Sequence, residues 1–182
     1  MVERLQNLFL CLSRKMLIQR INCPVTSSMG RLFDAVSSLL GMCHVSDYEA
    51  EAAIALESLT GENEISDYYN FKIDFFDAMH VVDWHPIIDG IMTDLWGNLY
   101  LEIIASKFHN TLAEIIVVMA EKIGIRQVAL TGGCFQNKYL AEKTISRLRE
   151  EEFDPHWHHI IPANDGGISA GQIAAASAII KE

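Results

Sequence analysis

Residues 127–137, Gln127-Val-Ala-Leu-Thr-Gly-Gly-Cys-Phe-Gln-Asn137, decide the fold class. Gln127 to Thr131 reads as a short apolar strand, Gly132-Gly133 breaks it, and Asn137 can cap a helix running to about Glu150. The pattern then repeats. His158 to Ile161 reads as a second strand, Asn164-Asp-Gly-Gly167 as a second turn, and Ile168 to Ile180 as a second helix with a small-residue face. Strand, helix, strand at this spacing implies parallel neighbours joined by a right-handed crossover, so both glycine turns leave the carboxyl edge of one sheet and lie side by side.

Working back from that unit, the chain reads as helix-rich. From Leu99 to Ile123 the apolar positions Leu101, Ile104, Ala105, Phe108, Leu112, Ile115, Ile116, Met119 and Ile123 follow a 3.6-residue period ending at Gly124, which predicts one long buried helix. Residues 62–98 are acidic and less regular, although Tyr69, Phe71, Ile73 and Phe75 alternate as a half-buried strand does. Glu49 to Leu59 predicts a helix with Ala52, Ala53, Leu56 and Leu59 inward, closed by Gly61. Another begins in Thr26-Ser27-Ser28, whose hydroxyls can accept first-turn N–H groups. It presents Leu32, Phe33, Val36, Leu39 and Leu40 and stops at Gly41. Residues 1–20 predict a short amphipathic helix with Leu5, Leu8, Phe9, Leu12, Met16 and Leu17 at helical spacing, interrupted at Asn22-Cys23-Pro24.

The 182 residues suit a single domain, or one lobe of a larger enzyme, with half of the residues hydrophobic. A net charge of -10 argues against nucleic acid as a partner. Cys11, Cys23, Cys43 and Cys134 are widely spaced, with no CxxC pair, and read as reduced thiols of a cytoplasmic protein. The apolar run Leu8 to Leu12 is too short for a membrane span and is followed by Arg14 and Lys15, so neither a signal peptide nor a membrane helix is expected.

The chemistry concentrates in the two turns. Gly132-Gly133 at a strand-to-helix junction lets backbone amides approach an anion at a positive helix end, which suits a phosphate or nucleotide. A glycine pair also makes a tight turn with no ligand. Asp165 would project from the same edge and could ligate a metal ion bridging phosphate oxygens. An Asp-Gly turn also shapes its own backbone or caps the following helix.

With their flanks, these stretches resemble the C-terminal lobe of the HypF family, the carbamoyltransferases of nickel-iron hydrogenase maturation. The family stretches SSMGRLFDA, YEGEAA, FH, GGVFQN and PNDGGISLGQ correspond here to Ser27 to Ala35, Tyr48 to Ala53, Phe108-His109, Gly132 to Asn137 and Pro162 to Gln172, within residues 20–180. Gly30 to Gly41 is also similar to the tRNA threonylcarbamoyl-transfer proteins. Their branch is disfavoured because GGCFQN and NDGG replace its own motifs.

The resemblance implies an α/β, ribonuclease-H-like lobe of the ASKHA (actin-like) superfamily. It implies a site for ATP, as carbamoyl-adenylate, contacted by Gly132, Gly133, Gln136, Asn137 and Ser27, with Glu49 or Glu51 at the ribose. Asp165 would be a metal ligand, the divalent metal being shared with a missing lobe that supplies an HxxxH pair absent here. The implied acceptor is a hydrogenase-maturation protein with a C-terminal cysteine. No catalytic nucleophile from this chain is implied. Cys134 stands where the family has valine and reads as a small buried residue, His109 reads as a satisfied core or surface histidine, and His156, His158 and His159 read as edge or surface residues.

The missing N-terminal lobe and domains are expected partners. The isolated chain is expected to be inactive and, through an uncovered apolar face, to self-associate. The alternative reading is a truncated, non-catalytic nucleotide- or partner-binding module. Ala50 replaces the family glycine of YEGEAA, where a methyl group hinders ribose binding if that position has positive φ.

Overall fold

The computed structural model describes residues 2–61 and 65–180, with side chains from residue 10 onward, so Leu5, Leu8 and Phe9 of the first expected helix face lie outside the described side chains. The elements in order are α1 (Val2–Gln19), α2 (Met29–Leu39), α3 (Glu51–Ser58), β1 (Lys72–Phe76), β2 (Met79–Asp83), α4 (His85–Trp96), α5 (Leu101–Ile123), β3 (Gln127–Leu130), α6 (Lys138–Glu150), β4 (Asp154–Trp157) and α7 (Ile168–Ile180). A 3-10 turn, Gly133–Gln136, joins β3 to α6, and another, Asp165–Gly167, precedes α7.

The long helix predicted from the 3.6-residue period is α5, and α2, α3, α4 and α6 pack around it. Ile104, Ala105, Phe108 and Leu112 are buried with Phe33 and Val36 of α2, Leu56 of α3, Ile87 and Ile91 of α4 and Leu140 of α6. Further along α5, Val117 and Ala120 pack with Leu130, Ile145 and Leu148 beneath β3 and β4. Phe33 meets Phe108 edge-on, ring centroids 5.2 Å apart. By length and composition α5 could cross a membrane, yet 67% of its most apolar window is buried inside the fold. Gly124 ends it at φ 72.

β3 and β4 pair in parallel, Gln127 opposite Asp154 through Leu130 opposite Trp157, and β1 and β2 form a separate antiparallel hairpin. The second parallel strand is Asp154–Trp157, not His158 to Ile161, because the register with the four-residue β3 is exhausted at Trp157. The expected strand around Tyr69 begins only at Lys72, and Phe75 is 69% exposed instead of half-buried. α3 starts at Glu51, since Ala50 is left-handed (φ 63, ψ 10), and ends at Ser58, before Gly61. No hydroxyl caps α2: Thr26 Oγ1 accepts from the Ser28 amide (3.1 Å) before the helix begins. Leu39 and Ile123, expected inward, are exposed. α1 forms as expected, but Leu10, Leu12 and Leu17 are exposed. α7 also forms, and none of its residues is buried.

Candidate functional site

Parallel pairing of β3 and β4 brings the two glycine turns together, as the strand order requires. The Gly132 amide donates to the carbonyl of Ala163 (2.9 Å), and a Cβ added to Gly133 would lie 4.0 Å from that of Asn164. Gly132 sits at φ 105, where a side chain is strained. Gly167 is required for a different reason, because a Cβ there would come within 2.6 Å of the Pro162 carbonyl oxygen. Asn164 shapes the second turn: its Oδ1 accepts from the Gly166 amide (3.1 Å) and its carbonyl from the Gly167 amide (2.9 Å).

Between these turns and helices α2 and α3 lies a cleft of about 680 Å³, within the roughly 300–1,000 Å³ typical of small-molecule sites. One wall is Ser28, Gly30, Arg31, Phe33 and Asp34. A second is Glu49, Ala50, Ala53, Ile54 and Glu57, and the third is Gly133, Cys134, Gln136, Asn137 and Asn164. Of the residues expected in the site, Gly133, Gln136, Asn137 and Glu49 line it. Ser27 and Gly132 stand one residue outside, behind Ser28 and Gly133. Glu51 is also outside the lining, its carboxylate accepting from the Asp47 amide at 2.6 Å. Asp165 is exposed in the 3-10 turn next to Asn164, and Asn164 supplies that turn's contribution to the cleft.

Sequence reasoning missed three charged lining groups. Arg31 and Asp34 form an ion pair at 3.0 Å on α2. Glu57 reaches from α3 to the start of α6, where its Oε1 accepts from the amides of Lys138 (2.6 Å) and Tyr139 (3.3 Å). Asn137 Oδ1 accepts from Leu140 at 2.8 Å, the cap expected of it. The first three amides of α6 are therefore taken, two of them by a carboxylate. The expectation of a free positive helix end at α6 does not hold, and an anion in this cleft meets the Gly133–Cys134 backbone, the Asn137 side-chain amide and Arg31 instead. Asp34 and Glu49 offer acceptors to hydroxyl groups, as a sugar diol requires.

Beneath the floor, His109 is fully buried between Phe33, Phe108 and Tyr139. Its ring bonds Ala105 through Nδ1 (2.7 Å) and Asn137 through Nε2 (2.9 Å). Burial lowers its pKa to about 4, so it is neutral near pH 7. Of the two histidine roles left open, it takes the satisfied core role.

With this geometry in view, residues 5–172 match the family described as "Carbamoyltransferase, Kae1-like Domain, second subdomain". The chain belongs to the HypF carbamoyltransferase family. It is 42% identical over 161 residues to carbamoyltransferase HypF of Synechocystis sp., covering 88% of this chain and 21% of that protein. To the probable carbamoyltransferase HypF of Methanocaldococcus jannaschii it is 33% identical, covering 85% and 20%. A crystal structure of full-length HypF in the phosphate- and nucleotide-bound form superposes with a TM-score of 0.87 at 34% identity, over 100% of this chain and 24% of that one. The chain thus spans about a fifth of the length of these curated relatives. Its fold is the helix-rich, ASKHA-like α/β fold of the HypF domain.

Two departures of this chain from the HypF stretches acquire a physical meaning. Ala50, in place of glycine, is left-handed at the cleft wall and carries strain that glycine would not. Burial pushes the Cys134 thiol up from its ordinary value, which suits a small packing residue better than a nucleophile. A metal fits poorly on this chain's residues alone: among the described residues no three His, Cys, Asp or Glu side chains cluster as a ligand set.

Proposed function

We propose that this chain is the part of a HypF-type carbamoyltransferase that holds the nucleotide half of a carbamoyl-adenylate and passes the carbamoyl group to a partner protein's C-terminal cysteine in nickel-iron hydrogenase maturation. One observation carries the reading: Ser28 to Asp34, Glu49-Ala50, Gly133 to Asn137 and Asn164, remote in sequence, converge on one cleft of nucleotide size. A HypF structure that superposes on the whole chain is described as phosphate- and nucleotide-bound.

In the proposed step the acceptor thiolate attacks the carbamoyl carbon. The bond from that carbon to the adenylate phosphate oxygen breaks, and AMP leaves with the electron pair. Asp34 and Glu49 would accept from the ribose hydroxyls, and the Gly133–Cys134 backbone would face the phosphate. A divalent metal would supply charge stabilisation at that phosphate, Asp165 contributing one ligand and the remaining HypF domains the others. The reaction belongs in the cytoplasm, where thiols stay reduced.

The test combines the chain with the remaining domains of a HypF relative, carbamoyl phosphate, ATP and an acceptor ending in cysteine, read by mass spectrometry of the acceptor. The chain alone should leave the acceptor unmodified, and the combination should add one carbamoyl group. Transfer by the chain alone would overturn the proposal. A second reading, a nucleotide- or partner-binding module without transfer, is favoured by Ala50, which puts a methyl group on a left-handed backbone at the cleft wall where the HypF stretch has glycine. A combination that binds ATP yet never modifies the acceptor would select it.

A further inference from the structure

The hydrogen bonds under the cleft have a fixed polarity. The carbonyl of Ala105 only accepts, so the 2.7 Å contact with His109 places the ring proton on Nδ1. Nε2 then carries a lone pair and accepts from the Asn137 amide nitrogen at 2.9 Å. That turns Asn137 Oδ1 toward the Leu140 amide, which it accepts at 2.8 Å. A flipped Asn137 would set its NH2 against the Leu140 N–H and its oxygen against the Nε2 lone pair, and would lose both bonds.

The ring itself has one place to be, since His109 is wholly buried and meets Phe33 edge-on at 5.5 Å between centroids. Asn137 lines the cleft, and its amide nitrogen has a second N–H with no protein partner among the described residues.

We propose that His109 is a positioning residue: by fixing the polarity of Asn137 from beneath, it makes this wall of the cleft present an amide donor, matched to a phosphate oxygen or a purine ring nitrogen. The inference rests on the nucleotide reading of the cleft. Leucine at position 109 fills similar space and removes the acceptor of one Asn137 N–H, leaving the amide held by the Leu140 bond alone. Glutamine supplies both a donor for Ala105 and an acceptor for Asn137.

Two measurements test it. An imidazole 1H–15N spectrum of the unaltered chain should show His109 protonated on Nδ1 alone. Protonation on Nε2 overturns the proposal without reference to any ligand. ATP titrated into the chain should bind about tenfold more weakly to His109→Leu, the loss of one hydrogen bond to a charged or polar ligand group, and within about twofold of the unaltered chain to His109→Gln. Leucine binding as well as histidine, or glutamine as poorly as leucine, overturns it. Should His109→Leu fail to fold, the tautomer and His109→Gln still decide. Failure of the unaltered chain to bind ATP while the Nδ1 tautomer stands would instead sink the nucleotide reading, and with it the donor's proposed ligand.

Discussion

Helices α5 and α7 are both apolar, and they meet opposite fates. α5 is enclosed by α2, α4 and α6 and buries twelve of its residues, polar His109, Asn110 and Thr111 among them, each of those three with hydrogen-bond partners. α7, Ile-Ser-Ala-Gly-Gln-Ile and its continuation to Ile180, buries none, and its main contacts are with the turn that precedes it. Ile173 and Ile179 are 68% and 73% exposed. Apolar composition makes a helix eligible for burial, and only a facing surface buries it. The chain contains the surfaces that enclose α5. For α7 it contains a two-stranded parallel sheet, too small to cover a helix of this kind.

The contrast is open to attack by truncation at one position in each helix. Phe108→Ala should cost about 3–5 kcal/mol, the cavity cost of a fully buried aromatic, while Ile173→Ala should stay within about 0.5 kcal/mol. Urea denaturation of the two variants measures both. Comparable losses would mean that α7 is covered in solution, through self-association of the kind expected of an open apolar face, and light scattering across a concentration series would reveal it.

The next effect depends on the buried polar core of α5. Folded, His109 does not take a proton until about pH 4, whereas in the unfolded chain it does so below about 6.5. The unfolded state therefore binds more protons in that window, and stability falls as pH drops from about 6.5 to about 4. The total is about 3 kcal/mol. His109→Gln should remove this component, seen as a flatter pH dependence of denaturation midpoints than in the unaltered chain.

Smaller effects belong to the walls that α5 supports. Glu57→Ala strips two amides of α6 of their acceptor and should cost about 1–2 kcal/mol, measurable by the same denaturation. Ala50→Gly should instead stabilise by about 1 kcal/mol, since it relieves a left-handed alanine. A loss there would show that the wall tolerates the methyl group for a packing reason.

Much of this was legible in the sequence, and the misses have physical causes. α5 was legible because its period and its terminal glycine agree. The convergence of the two glycine turns followed from strand order alone. The β1–β2 hairpin was not, because its turn is Asp77-Ala78, both at positive φ, without the glycine or asparagine that usually marks such a turn. α4 went unread although Pro86 stands in its first turn. Glu57 could not be found by spacing, since it acts on residues about eighty positions further on. The open N-terminus imagined for α6 failed for the same reason: the acceptor that fills it comes from another helix.

The central claim, that one cleft joins the separate stretches into a nucleotide site, is tested most directly by ATP titrated into the 15N-labelled chain. The amides of Ser28, Gly30, Glu49, Gly133, Cys134 and Gln136, drawn from all three walls, should shift together along one binding curve, with Ile173 and Ile179 unmoved. Shifts confined to the loop 158–163 beyond β4, or none at millimolar ATP, would contradict it.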